Sequence, residues 1–218
     1  MVWQKIISLT KDLLFPIYCV QCKKEGEWWC ASCRSDQIKL HIEQPGGALA
    51  GLSSFLSYEP DSPCYHLIRQ FKYNYASDVT ALWREVIDVT KLSRTWPNDL
   101  VVVPVPLHAK RERERGFNQA QLLGSIIREQ LSGLNKATRL ADGELIRERT
   151  TAQQALLNRE ERLLNVFGAF VWRGENPPGN ILLVDDVYTT GATMGECARV
   201  LRSAGAPWVW AITLARGV

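Results

Sequence analysis

Apolar and polar positions are grouped in blocks along the chain. Two runs are apolar almost without a break, residues 100–105 and residues 181–184. A continuous run of this kind suits a strand covered on both faces, as in a parallel sheet. Residues 51–58 and 208–214 predict two more strands, and 166–172 another. Between them the apolar positions recur at helical spacing. Asp61 or Ser62 can cap a helix through Leu67, Ile68 and Phe71. Residues 77–93 place Val79, Leu82, Trp83, Val86 and Val89 on one stripe. A helix is expected over 118–131. Another follows residue 193, carrying Met194, Cys197, Val200 and Leu201, and ends at Ala204 with Gly205 closing it. Residues 34–50, with Gln44-Pro45-Gly46-Gly47, read as a linker, and 137–149 as irregular chain with short strands. Alternating strands and helices predict an α/β fold, a parallel sheet flanked by helices, with any ligand at the carboxyl ends of the strands.

Composition narrows this little. The chain has 218 residues, 46% hydrophobic and 22% charged, with 26 Lys and Arg against 23 Asp and Glu. It is an ordinary globular composition whose mild positive charge permits anionic ligands without demanding them. No apolar stretch approaches the ~20 residues of a membrane span. The first 14 residues have helical spacing of apolar positions but no cleavage site after them; they read as a docking helix, with a membrane-surface helix as the alternative. The six cysteines are therefore expected in a reducing, cytoplasmic setting.

Four of those cysteines form two Cys-x-x-Cys knuckles, Cys19/Cys22 and Cys30/Cys33, separated by seven residues. Four thiolates at this spacing suit a closed tetrahedral zinc site. The intervening segment has little apolar content besides Trp28 and Trp29, so metal binding would supply its folding free energy. Those tryptophans either pack around the knuckles or stack on unpaired bases. Cys197 lies on an apolar helix face and reads as core; His41 reads as a surface residue.

The chemistry concentrates at residues 181–193. The apolar strand 181–184 is followed by Asp185 and Asp186, then by Thr189, Thr190, Gly191, Ala192 and Thr193, then by a helix. Backbone N–H groups and threonine hydroxyls at a helix N-terminus suit a phosphate, and two carboxylates beside it suit the hydroxyls of a sugar. A ribose 5-phosphate fits this arrangement. The acids, at a strand's exposed end, are expected to have no obligatory core partner. A ligand bearing further phosphate would need cations, and Lys72, Arg113, Arg115 and Arg149 are candidates. Arg115 comes first because Gly116 frees the adjacent backbone. Residues 110–115 can equally be a solvated helical face.

Residues 181–193 resemble the 5-phosphoribosyl-1-pyrophosphate (PRPP) signature of type I phosphoribosyltransferases. Further motifs extend the likeness: the cysteine knuckles, Leu67-Ile68-x-x-Phe71-Lys72-Tyr73, Val103-Pro104-Val105-Pro106-Leu107, Arg115-Gly116-Phe117-Asn118-Gln119-Ala120, Thr151-x-x-Gln154 and Glu161-Arg162-x-x-Asn165-Val166. In this order they resemble the ComF family, a cysteine-rich zinc finger fused to a phosphoribosyltransferase domain. The resemblance implies residues 1–50 as helix, finger and linker, and 51–218 as the transferase-like domain. It implies structural Zn²⁺, Mg²⁺ arriving with PRPP, and a cytoplasmic protein tied to DNA uptake in natural competence, with single-stranded DNA and competence-machinery proteins as partners. Asp185 and Asp186 would take the catalytic role, Thr189 to Thr193 the 5-phosphate, and Lys72, Arg113, Arg115 and Arg149 the pyrophosphate. The acceptor is not identifiable, and a PRPP sensor or DNA-binding factor without turnover remains the alternative.

Overall fold

The computed structural model describes residues 16–73, 76–149, 159–175 and 178–217. The expected helix over the first 14 residues, and Thr151 and Gln154, lie outside them. Strands β1 (His41–Glu43), β2 (Gly51–Tyr58), β3 (Asp99–Pro104), β4 (Ala137–Leu140), β7 (Asn180–Tyr188) and β8 (Trp208–Gly217) form one sheet in the order β1-β2-β8-β7-β3-β4. All neighbours are parallel except β1, which runs antiparallel to β2. β5 (Leu145–Arg147) and β6 (Phe170–Trp172) pair as a separate antiparallel ribbon.

Helices α1 (Ala31–Arg34), α2 (Pro63–Tyr73), α3 (Ala76–Val86), α4 (Ala109–Arg115), α5 (Gln119–Gly133), α6 (Arg159–Val166) and α7 (Ala192–Ser203) complete the fold. The pleat divides the core. Leu182 and Val184 pack with Phe71, Trp83 and Leu123 on one side, whereas Ile181 and Leu183 pack with Cys197 and Leu201 on the other. Both faces of the central strands are thus buried, which is why their sequences are continuously apolar.

Four expectations need correction. The 34–50 segment is not only linker: His41–Glu43 adds an edge strand, paired His41 to Ser54. The strand expected over 166–172 is confined to Phe170–Trp172, because Val166 closes α6. Helix α3 stops at Val86, before the expected 93, and a short 3-10 turn follows at Leu92–Thr95. Strand β7 runs on to Tyr188, so the acid pair lies within the strand rather than beyond its tip.

Candidate functional site

The finger assembles locally. Lys23 N–H donates to the Cys19 carbonyl at 3.0 Å, and Cys33 N–H to the Cys30 carbonyl at 3.0 Å. These two turns bring all four sulfurs within 4.8 Å of one another. Cys22 and Cys30 Sγ stand 3.6 Å apart. Tetrahedral thiolate coordination at about 2.3 Å requires sulfurs about 3.8 Å apart, so the four thiols fit a metal such as zinc. Their electrostatics agree. Burial raises the Cys19 thiol, but the N–H groups of Cys22, Cys30 and Gln21 outweigh it and bring it down to about 6. Cys33 is pushed up to about 12, first by its contact with Cys30, then by burial. Four thiols crowded this closely cannot all ionise without a cation among them.

The finger is also built into the domain. Trp29 is 1% exposed and, with Cys19 and Cys30, belongs to the same core as Phe71 and Trp83. Arg34 donates to the Trp29 carbonyl at 2.7 Å and bonds Glu85 of α3. Burial of Trp29 leaves it no face for stacking on bases and decides, for this residue, for the packing alternative, while Trp28 packs partly buried against the same core.

Toward the end of β7, Asp186 is 8% exposed. Its Oδ2 lies 2.9 Å from Lys72 Nζ, in the last turn of α2. Burial would drain charge from Lys72, but the Asp186 carboxylate more than compensates and raises its pKa. Asp185 is half-buried and accepts from the Asp186 N–H at 2.8 Å. Burial, then the neighbouring Asp186 charge, push its carboxyl up to about 7. Successive strand residues point to opposite sides. Asp186 therefore meets Lys72 directly, while the charge of Asp185 is felt by Lys72 and also by Cys197 and Arg147. The expectation that the acids lack partners is corrected for Asp186: it is half of a partly buried ion pair.

The loop after β7 turns at Gly191, whose φ of +75° opens α7. A Cβ there would collide with the Tyr188 side chain. Thr189, Thr190 and Thr193 surround this turn, with Ala192 starting the helix.

The cation candidates separate. Lys72 is on the acid pair. Arg115 donates to Gln119 Oε1 at 3.0 Å, and Gln119 donates to the Lys72 carbonyl at 3.4 Å. Arg113 is exposed on α4, none of whose residues is buried, so this stretch is a solvated helical face. Arg149 donates to the carbonyls of Asn165 and Phe167 at 3.2 and 2.7 Å, tying the chain just past β5 to the end of α6. Arg147, which the sequence marks as delivered by the 137–149 segment but not as a pyrophosphate candidate, packs its guanidinium 5.3 Å from the Phe170 ring centre and is lowered first by burial, then by Arg111. Gln119 stands within the Arg115–Ala120 motif, but the sequence gives it no role; its burial at the start of α5 is what singles it out. A groove of about 310 Å³ runs along α7 against Leu164, Phe167 and Arg199 and reaches Ala192 at the start of that helix.

No protein-family model matches the chain. It is 28% identical over 208 residues to Competence protein F of Haemophilus influenzae, covering 93% of this chain and 85% of that protein. DNA utilization protein YhgH of Escherichia coli K12 is 32% identical over 206 residues, covering 89% of this chain and 87% of that protein. Competence protein ComFC of Bacillus subtilis is 34% identical over 140 residues, 63% of this chain and 53% of that protein. Among the described residues no helix is long and apolar enough to cross a membrane. The likeness to YhgH spans nearly the whole length of both proteins, and the chain belongs to the ComF family.

Proposed function

We propose that this protein binds PRPP at the carboxyl end of β7 and transfers its phosphoribosyl group to an acceptor. The observation that carries the reading is the Lys72–Asp186 pair at 2.9 Å, immediately before a Gly191 turn into the N-terminus of α7. The Thr189–Thr193 backbone would hold the 5-phosphate, where the helix dipole favours an anion. Asp185 and Asp186 would accept from ribose hydroxyls. In the transfer, the acceptor's electron pair forms a bond to C1, the C1–O bond breaks, and its electrons leave with pyrophosphate. The acceptor's proton passes to solvent. Positive charge develops on the ring, and two nearby carboxylates stabilise it. Lys72 and Arg115 would offset the charge of the departing pyrophosphate. Mg²⁺ riding on ligand oxygens would neutralise further phosphate charge. The Asp186 oxygen that faces Lys72 is already paired, which fits a cation carried by the ligand rather than by the protein.

The four cysteines would hold zinc, and the finger would brace the catalytic domain 51–218 in the cytoplasm. The names of the relatives favour a second reading: a role in DNA uptake, with the cationic face of α4 engaging single-stranded DNA or competence proteins, and PRPP bound without turnover. Calorimetric titration with PRPP, with and without Mg²⁺, followed by assay of pyrophosphate release against bases, amines and oligonucleotides, separates the two. Saturable binding with release supports transfer. Binding without release on any acceptor supports the sensor. No PRPP binding removes the first reading.

A further inference from the structure

Gln119 joins two parts of this site that the sequence keeps 47 residues apart. It opens α5 directly after the N-cap Asn118 and is 2% exposed. An amide this buried costs free energy unless both its oxygen and its nitrogen are bonded. The oxygen accepts from Arg115 Nη1 at 3.0 Å. The nitrogen donates to the Lys72 carbonyl at 3.4 Å. Lys72 lies in the last turn of α2, where carbonyls have no partner within the helix, so the amide supplies a donor that the helix cannot.

The neighbours of Gln119 make the joint rigid. Asn118 accepts from the Ala120 N–H at 3.0 Å and donates to the Val105 carbonyl, just past β3, at 3.1 Å. Phe117 packs on Phe71 of α2 with ring centres 6.0 Å apart. Residues 117–119 are thereby fixed to the end of β3 and the end of α2 together. From the residue whose carbonyl Gln119 holds, the Lys72 side chain reaches Asp186 at 2.9 Å. One amide therefore ties the Arg115 guanidinium to the backbone that carries the ammonium on the acid pair.

We propose that Gln119 is a positioning residue which holds Arg115 and Lys72 at a fixed separation beside Asp185 and Asp186, so that the site favours a ligand carrying a diphosphate over one carrying only a monophosphate. The inference rests on the sugar-phosphate reading above. Two cations at fixed spacing gain most from an anion long enough to touch both, and preorganising them spares the ligand the cost of ordering them.

The test measures dissociation constants of PRPP and of ribose 5-phosphate, both with Mg²⁺, for the wild type, Gln119→Met, Arg115→Met and the double variant. Gln119→Met is expected to weaken PRPP about tenfold and leave ribose 5-phosphate within about twofold, because one well-made charge-assisted bond is at stake. In the Arg115→Met background the same change should add less than about twofold, since it acts through Arg115. Gln119→Glu keeps an acceptor for Arg115, loses the donor to Lys72 and offsets the arginine's charge, so it should weaken PRPP more than Gln119→Met. A merely structural role predicts a lower melting temperature with both ligands weakened alike, or a full additional loss on top of Arg115→Met, and either result overturns the proposal. If Gln119→Met does not fold, Gln119→Asn, whose shorter amide cannot reach both partners, reads the same ratio. Should the wild type bind neither sugar phosphate, the sugar-phosphate reading falls, and inorganic pyrophosphate becomes the probe. Equal pyrophosphate affinity in wild type and Gln119→Met then overturns the positioning role, while a loss confined to backgrounds retaining Arg115 upholds it.

Discussion

The finger and the acid-pair site are both assembled from charged or ionisable groups, yet they are assembled differently. The finger's four sulfurs come from fifteen consecutive residues and converge within 4.8 Å. Hydrogen bonds within each turn and between the two, such as Val20 N–H to the Trp28 carbonyl at 3.0 Å, shape the knuckles from this short stretch alone, so ligand spacing in sequence sets ligand spacing in space. The acid-pair site draws on the end of β7, the last turn of α2, the start of α5 and the ribbon strand β5. Its geometry depends on how four separate elements pack. The finger needs a cation to relieve four crowded thiols, whereas the acid pair already has one in Lys72. A short motif can therefore specify a metal site almost alone, while a ligand site at strand ends is specified by the fold.

The largest effect should come from breaking the finger. Cys22→Ser removes one thiolate of four, and the purified variant should lose the roughly one zinc per chain expected of the wild type. Trp29, Cys19 and Cys30 share a core with Phe71 and Trp83. The loss should therefore spread into the domain, lowering its melting temperature by about 10 °C or more rather than freeing a detachable appendage. Metal analysis and thermal unfolding read both. A wild type purified without zinc from zinc-supplied cells would remove the finger side of the comparison.

Next in size is Asp186→Asn. With Asp186 paired to Lys72, the substitution should cost about 1–3 kcal/mol of stability, the range between exposed and buried pairs. It should also weaken PRPP at least ~10-fold. Unaltered PRPP affinity with lowered stability would make the pair purely structural.

How much of this was legible in the sequence follows the same divide. The cysteine spacing specified the finger, and the uninterrupted runs at 100–105 and 181–184 specified central strands. The edge strand β1 was not legible, because three residues of mixed polarity carry no periodic signal and their pairing to Ser54 is set by β2. Helix α6 was missed because Arg159-Glu160-Glu161-Arg162 reads as solvated charge whatever its backbone does. Within the site, the tight turn at Gly191 was readable from local chemistry. That Lys72 reaches Asp186, while Arg149 is taken up by the carbonyls of Asn165 and Phe167, was not. Side-chain partners across 114 residues depend on helix docking, which no local pattern encodes.

A smaller, pH-dependent effect should mark Asp185. Its carboxyl titrates near 4 when unfolded and at about 7 when folded. Between these values the folded protein keeps a proton that the unfolded chain has released. Its stability should therefore fall as pH rises through this window, and the full penalty should persist above pH 7. Asp185→Asn should raise the melting temperature by a few degrees at pH 8 and by little or nothing at pH 4. If ribose hydroxyls need the ionised form, wild-type affinity for PRPP should increase from pH 6 to pH 8 by about three- to tenfold. The Asn variant should lack that increase, apart from the phosphate's own ionisation. A variant with the wild type's pH profile would assign the titration elsewhere.

The smallest effect should come from Arg149, and it sharpens the contrast between cations that face the site and cations that hold the fold. Its guanidinium donates to two carbonyls near the end of α6, Asn165 at 3.2 Å and Phe167 at 2.7 Å. A carbonyl left without its donor at a helix end can turn to water when it is exposed, so the cost of losing the arginine is modest. Arg149→Gln should lower the melting temperature by only about a degree or two and leave PRPP affinity within about twofold. Arg115→Met, whose partner Gln119 reaches the Lys72 backbone, should weaken PRPP about tenfold with a similar change in stability. Calorimetry on the two variants side by side decides the matter. If Arg149→Gln weakens PRPP as much as Arg115→Met does, the guanidinium must leave its two carbonyls when ligand binds, and the division between the two arginines fails.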